Sequence, residues 1–308
     1  MRSLFLDYGP DMSCCSVFRR GLGVRVFAVG LALLAHPGGT YAQQSVRLEL
    51  GGAQGDWLRY SHRSDLLVHL PEDLGGPATS RTTIRLLNVV DAASIDAIAY
   101  LTTLEEVAFE VRPAPPGLPD LSGIQGLQFH HTASRAGRTL SLRFAGQSSE
   151  AGPVLLEQLE NWLSQLGFPP LPAEAVSVGE EWSETRPIPA LALGLAVDVD
   201  LVQTRTVRLS EVSSVGGSSV AFLSVTTLWE PSPEPSGTGG GVVSLRGSAE
   251  QMVRFDTRRG RFLGSTGTSE LEMVLTPEGT AQYVAVSATG RQITGLAASS
   301  DSSADLRE

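Results

Sequence analysis

"VDVDLVQTRTVRL", Val197 to Leu209, decides the fold class. Val197, Val199, Leu201, Val207 and Leu209 fall on one side of an extended chain. Asp198, Asp200, Thr204, Thr206 and Arg208 fall on the other. A period of two over this length predicts one long strand with a dry face and a wet face. "LSLRF" (Leu140 to Phe144) and "QYVAVSA" (Gln282 to Ala288) alternate in the same way. Turn formers separate these runs: "DAAS" at 91–94, "RAGR" at 135–138, "VGG" at 215–217, "RRGR" at 258–261 and "PEGT" at 277–280. Gly137 and Gly260 are expected to supply the positive φ that a hairpin turn needs. Connections this short exclude parallel crossovers, so the pairing is predicted to be antiparallel.

A second pattern lies over the first. "AQGDWLRY" (Ala53 to Tyr60) and "SVGEEWSE" (Ser177 to Glu184) both place glycine and acid before tryptophan. Trp57 is followed 28 residues later by Arg85 in Thr83-Ile84-Arg85-Leu86, and Trp182 is followed 26 residues later by Arg208 in Thr206-Val207-Arg208-Leu209. "IAYLTTLEE" (Ile98 to Glu106) answers "VAFLSVTTLWE" (Val220 to Glu230). Phe129 with Arg135-x-Gly137-Arg138 answers Phe255 with Arg258-x-Gly260-Arg261. Matches in one order predict an internal repeat. Its structural signature is Trp57, Arg85, Phe129 and Gly137 in the first copy, and Trp182, Arg208, Phe255 and Gly260 in the second.

"GPVLLEQLENWLSQLGFPP" sits between the copies and carries Leu155, Leu156, Leu159, Trp162, Leu163 and Leu166 on one helical face. Pro153 suits the first helical position and Gly167 the C-terminal cap. The expected fold is therefore mainly β (α+β): two internally repeated antiparallel sheet units of long strands with one central amphipathic helix. The expected organisation is a signal peptide over 1–42, β repeat 1 over 43–147, helix and connector over 148–172, β repeat 2 over 173–296 and a disordered tail over 297–308. Proline-rich "RPAPPGLPDLSG" (Arg112 to Gly123) and "EPSPEPSGTGGG" (Glu230 to Gly241) occupy matching places and are expected to be surface loops.

The signal peptide rests on Arg19, Arg20 and Arg25, the apolar run Val26 to Ala35, and small residues before a cut near Ala42. The apolar run is about half of the roughly 20 residues a spanning helix needs, so no integral span is expected in the mature chain. Cys14 and Cys15 precede the cut, which leaves no thiol nucleophile and no thiolate metal site. Removing residues 1–42 takes away four arginines and two aspartates and moves the net charge from −10 to −12. An acidic chain is a poor partner for nucleic acid or an anionic membrane surface. The chain has no lysine. That excludes a Schiff base, a lysine base and a phosphate-loop lysine.

Candidate chemistry is sparse. His62 and His69 stand seven residues apart, and His130 and His131 are adjacent, so each pair splits between faces on a strand. Asp198 and Asp200 share a face, but nothing supplies the second half of a mechanism. No G-x-S-x-G elbow occurs, and "GTGGG" (Gly237 to Gly241) lacks the flanking strand and helix of a phosphate cradle. Arg85 and Arg208 are expected to pair with acidic neighbours across strands, the alternative being an anion site within a concave sheet. No catalytic residue, metal site or cofactor is expected, and the chain is read as a non-enzyme. Ligand-binding residues stay unassigned.

"LPAEAVSVGEEW" (Leu171 to Trp182), followed by long strands and an R-x-G-R hairpin, resembles a group of uncharacterised secreted bacterial proteins. Those carry a proline, then V-x-V-G-x-x-W, then a strand-rich C-terminal half; the likeness covers roughly Leu155 to Leu275. More loosely, long antiparallel strands around one helix are similar to periplasmic lipoprotein-carrier and lipid-carrier folds. That likeness implies an open half-barrel with an apolar concave face, by fold analogy alone. The expected function is an exported, secreted or periplasmic, non-catalytic protein that binds an apolar ligand or envelope lipid in a sheet concavity. The alternative is a cell-envelope interaction or scaffold protein with closed sheets, contacting a partner through its proline-rich loops.

Overall fold

Strands of alternating character like the one read from Val197 to Leu209 recur throughout the described residues. The computed structural model describes residues 45–72, 75–113, 122–146, 168–189, 200–232, 242–275 and 283–300. Their strands are β1 (Trp57–His69), β2 (Ala78–Ala93), β3 (Ala97–Arg112), β4 (Gln128–Ser134), β5 (Thr139–Phe144), β6 (Glu181–Pro189), β7 (Asp200–Val215), β8 (Ser218–Pro231), β9 (Val242–Asp256), β10 (Arg261–Leu275) and β11 (Val284–Ser299). All belong to one compact unit, Tyr41–Glu308.

These strands form a single antiparallel sheet in the order β5-β4-β3-β2-β1-β11-β10-β9-β8-β7-β6. This corrects the expectation of two repeated sheet units separated by a central helix. The joint is the β1–β11 pair, in register from Leu58 opposite Ser299 to His69 opposite Ser287. Its physical reason is edge satisfaction. Two separate units would expose four edges of unpaired backbone groups, and returning β11 onto β1 removes two of them. The described residues contain no α-helix, and Ser122–Ile124 forms a short 3-10 turn. The expected helix at 153–166, the signal-peptide region, and most of both proline-rich loops lie outside the described residues. β11 runs to Ser299, three residues into the expected disordered tail, and Ser299 is buried.

The two tryptophans do not take equivalent places in the sheet. Trp57 pairs with Val89, four residues after Arg85, whereas Trp182 pairs with Val207, one residue before Arg208. Side chains alternate between faces, so this change of register puts the indoles on opposite sides of the sheet. Trp182 packs against the buried cluster around Phe255, while Trp57 stacks with Arg59 on the other side.

Cross-strand partners share a face, so registers trace that face across the sheet. One row runs Trp182, Val207, Val225, Gln251, Gly267, Gln292, Ser64, Thr82 and Phe109. A parallel row runs Arg186, Gln203, Trp229, Gly247, Leu271, Ala288 and Val68. The hydrophobic clusters around Phe255, Leu245, Phe129 and Ile98 all lie on this face. The opposite face carries cross-strand ion pairs: Arg59–Glu105, Arg81–Asp65, Arg85–Glu106 and Arg246–Glu272.

The sheet curls around its apolar face. Laid flat, ten strand spacings would separate the edge strands by roughly 48 Å. Yet Arg138, in the turn before β5, lies 3.3 Å from Glu184 of β6. Small residues on the inner face permit the bend. A Cβ on Gly247 would stand 2.5 Å from Glu270 O, and one on Gly267 would stand 2.5 Å from Glu250 O. Concave faces crowd their side chains, and glycine relieves the crowding at a bend.

Two connectors close one end. Residues 46–51 run antiparallel to Val176 and then donate backbone N–H groups to the hairpin turns, from Leu50 to Arg135 O at 2.8 Å and from Gly51 to Gly260 O at 2.7 Å. On the other side Leu171 N donates to Ala136 O at 2.7 Å, and Trp182 Nε1 donates to Pro170 O at 2.8 Å. Gly137 and Gly260 adopt φ of 75° and 64° at these turns, a region few other residues enter.

Candidate functional site

The closed end holds a cavity of about 130 Å³ on the inner face. Its walls come from strands distant in sequence. One wall is Tyr60 of β1, Phe168 of the connector and Phe262 of β10. Phe168 stacks on Phe262 at 4.0 Å between ring centres and meets Tyr60 edge-on at 5.5 Å. Such pairs add roughly 0.5–1.5 kcal/mol beyond burial, so this wall is stiff. The other wall is Tyr100 of β3 with His131 of β4, 5.8 Å apart. Leu50, Leu58 and Leu86 supply aliphatic surface between them.

Polar groups in the lining are largely satisfied within the protein. Tyr60 Oη donates to Phe262 O at 3.0 Å. Thr102 Oγ1 donates to Asn88 Oδ1 at 2.9 Å. His62 Nδ1 meets Thr294 Oγ1 at 2.9 Å, and His131 Nε2 meets Thr139 Oγ1 at 3.3 Å. Burial disfavours charge on both imidazoles and lowers each pKa to about 4. Both rings are therefore neutral at pH 7. Burial likewise pushes the Tyr100 phenol up to about 12 and Tyr60 higher still. Apart from Arg261, the lining consists of neutral rings, aliphatic side chains and paired polar groups, which favours an uncharged, largely apolar guest.

A polar seam crosses the same face nearer β6. Arg186 Nε donates to Gln203 Oε1 at 3.0 Å, with Arg205 beside Glu184 and Thr227 in cross-strand register. Burial lowers the Arg205 pKa to about 10, helped by the charge of Arg186, while Glu184 opposes the shift. Gln203 and Thr227 are almost wholly buried.

The residues singled out from sequence do not converge on a ligand. Phe129 pairs with Phe144 across β4–β5, and Phe255 with Phe262 across β9–β10, with edge-to-face rings at 5.9 Å and 5.1 Å. Gly137 and Gly260 both reach the cavity margin, because both mark turns at the closed end. Trp57 and Trp182 stand apart on opposite faces. Arg85 lies on the outer face, 3.1 Å from Glu106 on the neighbouring strand. Arg208 shares that outer face, its cross-strand neighbours being Glu181 and Ser224. The alternative of an arginine site inside the concavity therefore fails for both. Asp198 lies outside the described residues.

The cavity residues Tyr60, Tyr100, His131 and Phe168 escaped the sequence reading. Each belongs to a different strand or connector, and only the sheet order brings them together. A signal was present in His62 and His131, which share the strand face of apolar residues two positions away. Among the described residues, no group of three or more histidine, cysteine, aspartate and glutamate side chains is placed to hold a metal ion.

No family model and no curated protein matches the chain. Among solved structures, the chain is similar to lipovitellin, in a structure concerned with its lipid–protein interactions. The match has 13% identity and a TM-score of 0.46 and covers 80% of this chain. It spans 25% of the lipovitellin chain. Among the described residues, no helix is long and apolar enough to cross a membrane.

Proposed function

We propose that this is an exported, non-catalytic protein that binds an apolar ligand on the inner face of its sheet. One observation carries the reading. A single continuous sheet collects its apolar side chains on one face and curls around them, leaving a cavity of about 130 Å³ walled by Tyr60, Phe168 and Phe262 on one side and Tyr100 and His131 on the other. Burying an apolar group there gains about 25 cal/mol per Å² without exposing an unpaired charge. An apolar cavity of about 150 Å³ holds one benzene-sized ring, so the guest is one ring or one segment of a chain at a time. Export rests on the expected signal peptide, with cleavage near Ala42 into a secretory or periplasmic space.

The cavity volume also favours a second reading. Pockets for drug-sized ligands run from roughly 300 Å³ upward, so a sheet packed this tightly suits an envelope interaction protein. The test is organic extraction of purified protein followed by mass spectrometry, with titration by a one-ring probe, toluene, followed by NMR. The ligand reading expects saturable binding that weakens at least tenfold in Ala133→Leu, which fills the cavity from a buried position. Absence of both extracted ligand and saturable toluene binding would leave the interaction reading in its place.

A further inference from the structure

Two tyrosines line the cavity at the closed end, and the fold treats them differently. Tyr60 Oη donates to Phe262 O at 3.0 Å and is satisfied within the protein. Tyr100 is only 7% exposed, yet its hydroxyl has no hydrogen-bond partner among the described residues. Its ring neighbours His131, 5.8 Å away between centres. Nearly all buried polar groups in native proteins are paired. Burial pushes the Tyr100 phenol up to about 12, so it presents an O–H donor at neutral pH. Asn88 stands beside it. Asn88 faces Thr102 across β2–β3 and Val90 faces Tyr100, which makes Asn88 and Tyr100 diagonal neighbours on the inner face. Asn88 Oδ1 accepts from Thr102 Oγ1 at 2.9 Å, and its Nδ2 donors have no partner among the described residues. Arg261 also lines the cavity, but it already interacts within the protein.

We infer that the guest of this cavity is a single neutral ring bearing a carbonyl group, whose oxygen accepts from Tyr100 Oη and Asn88 Nδ2. A carbonyl oxygen has two lone pairs and no proton, so it matches two donors and asks for no acceptor. The volume of about 130 Å³ sets the size at one ring. The Phe168–Phe262 stack and the leucines supply the apolar surround. A hydrocarbon ring would leave both donors unmet. A carboxylate would bring in a charge that neutral histidines cannot balance and that only Arg261, already engaged, could meet. This inference rests on the proposed apolar-ligand function and specifies its ligand class.

The experiment uses the full mature chain and three one-ring probes, toluene, benzaldehyde and benzoate, each titrated by NMR. The chain has no lysine, so benzaldehyde cannot form a Schiff base on a side chain. The quantity read is the ratio of the toluene Kd to the benzaldehyde Kd, in the natural chain and in Tyr100→Phe. That ratio should fall by about fivefold or more in the variant, the worth of one hydrogen bond, with toluene binding retained. A second readout uses the natural chain and decides the matter if the variant folds poorly. The carbonyl carbon resonance of bound benzaldehyde should lie downfield of its position in hexane. A ratio unchanged in Tyr100→Phe, or a bound carbonyl resonance at the hexane position, overturns the inference, while saturable toluene binding keeps the apolar-ligand reading standing. Benzoate binding more tightly than benzaldehyde means that a charged head is recognised, and the neutral carbonyl assignment falls. No saturable binding of any probe overturns both readings.

Discussion

Arg138 and Glu184 stand 3.3 Å apart although they belong to opposite margins of an eleven-stranded sheet. Their contact shows that the sheet closes on itself at one end, and the connector through Pro170 and Leu171 seals the join. A lateral seam of this kind separates this protein from an open sheet. The aromatic cavity draws its walls from β1 to β5, β10, β11 and the connector at Phe168.

The ion pair is a marker of closure and contributes little stability. Arg138 is 60% exposed and Glu184 21%. A double-mutant cycle of Arg138→Ala and Glu184→Ala, read by urea unfolding, should give a coupling below about 1 kcal/mol. A coupling of several kcal/mol would mean that the edges are held by charge.

The Trp182 indole holds the connector more firmly. Its Nε1 donates to Pro170 O at 2.8 Å and its ring packs on the cluster around Phe255. Trp182→Phe keeps most of the packing and loses the bond. It should cost about 1–2 kcal/mol and raise protease sensitivity near Pro170. An unchanged midpoint in urea would show that the bond adds nothing.

Curvature depends on the absence of side chains at two places. Gly247→Ala and Gly267→Ala should each destabilise by about 1–3 kcal/mol, because each new methyl meets a backbone carbonyl of the next strand. Gly55→Ala serves as a control in strain without a clash, since nothing lies within 4 Å of its Cβ position although its φ is 88°. Thermal melts that rank Gly55→Ala as the most damaging would count against crowding as the cause.

Acid should loosen the cavity. His62 and His131 have pKa values near 4 in the fold, below the ordinary 6.5, because burial disfavours their charged forms. As pH falls from about 6.5 to 4, the unfolded chain takes up protons that the native chain refuses, so stability declines through that window. The loss is complete below about pH 4 and amounts to at most about 3 kcal/mol for each ring. His62→Gln and His131→Gln should flatten stability against pH between 4 and 6.5. A slope unchanged in the double variant would locate the acid sensitivity elsewhere.

Strand character was legible because alternation is local. The face of β7 that holds Leu201, Val207 and Leu209 is the face read from those residues alone, and the positive φ of Gly137 and Gly260 matches their place in R-x-G-R turns. The cavity was not legible. Phe168 sits in a connector whose prolines invite no reading as a wall, and Tyr60 meets Phe262 across two hundred residues. The matching of Trp57 with Trp182 misled, because a shared motif says nothing about which face its register will present.

What the sequence by itself determined is the material: long amphipathic strands, tight hairpins, an acidic chain without lysine, and no thiol beyond position 42. What only the tertiary structure decided is that β11 returns to pair with β1, which makes one sheet where two units were expected, and that the sheet curls until Arg138 reaches Glu184. The division has one physical cause. Alternation is set by neighbouring residues, whereas strand order and curvature minimise unpaired edges and exposed apolar area over the whole chain.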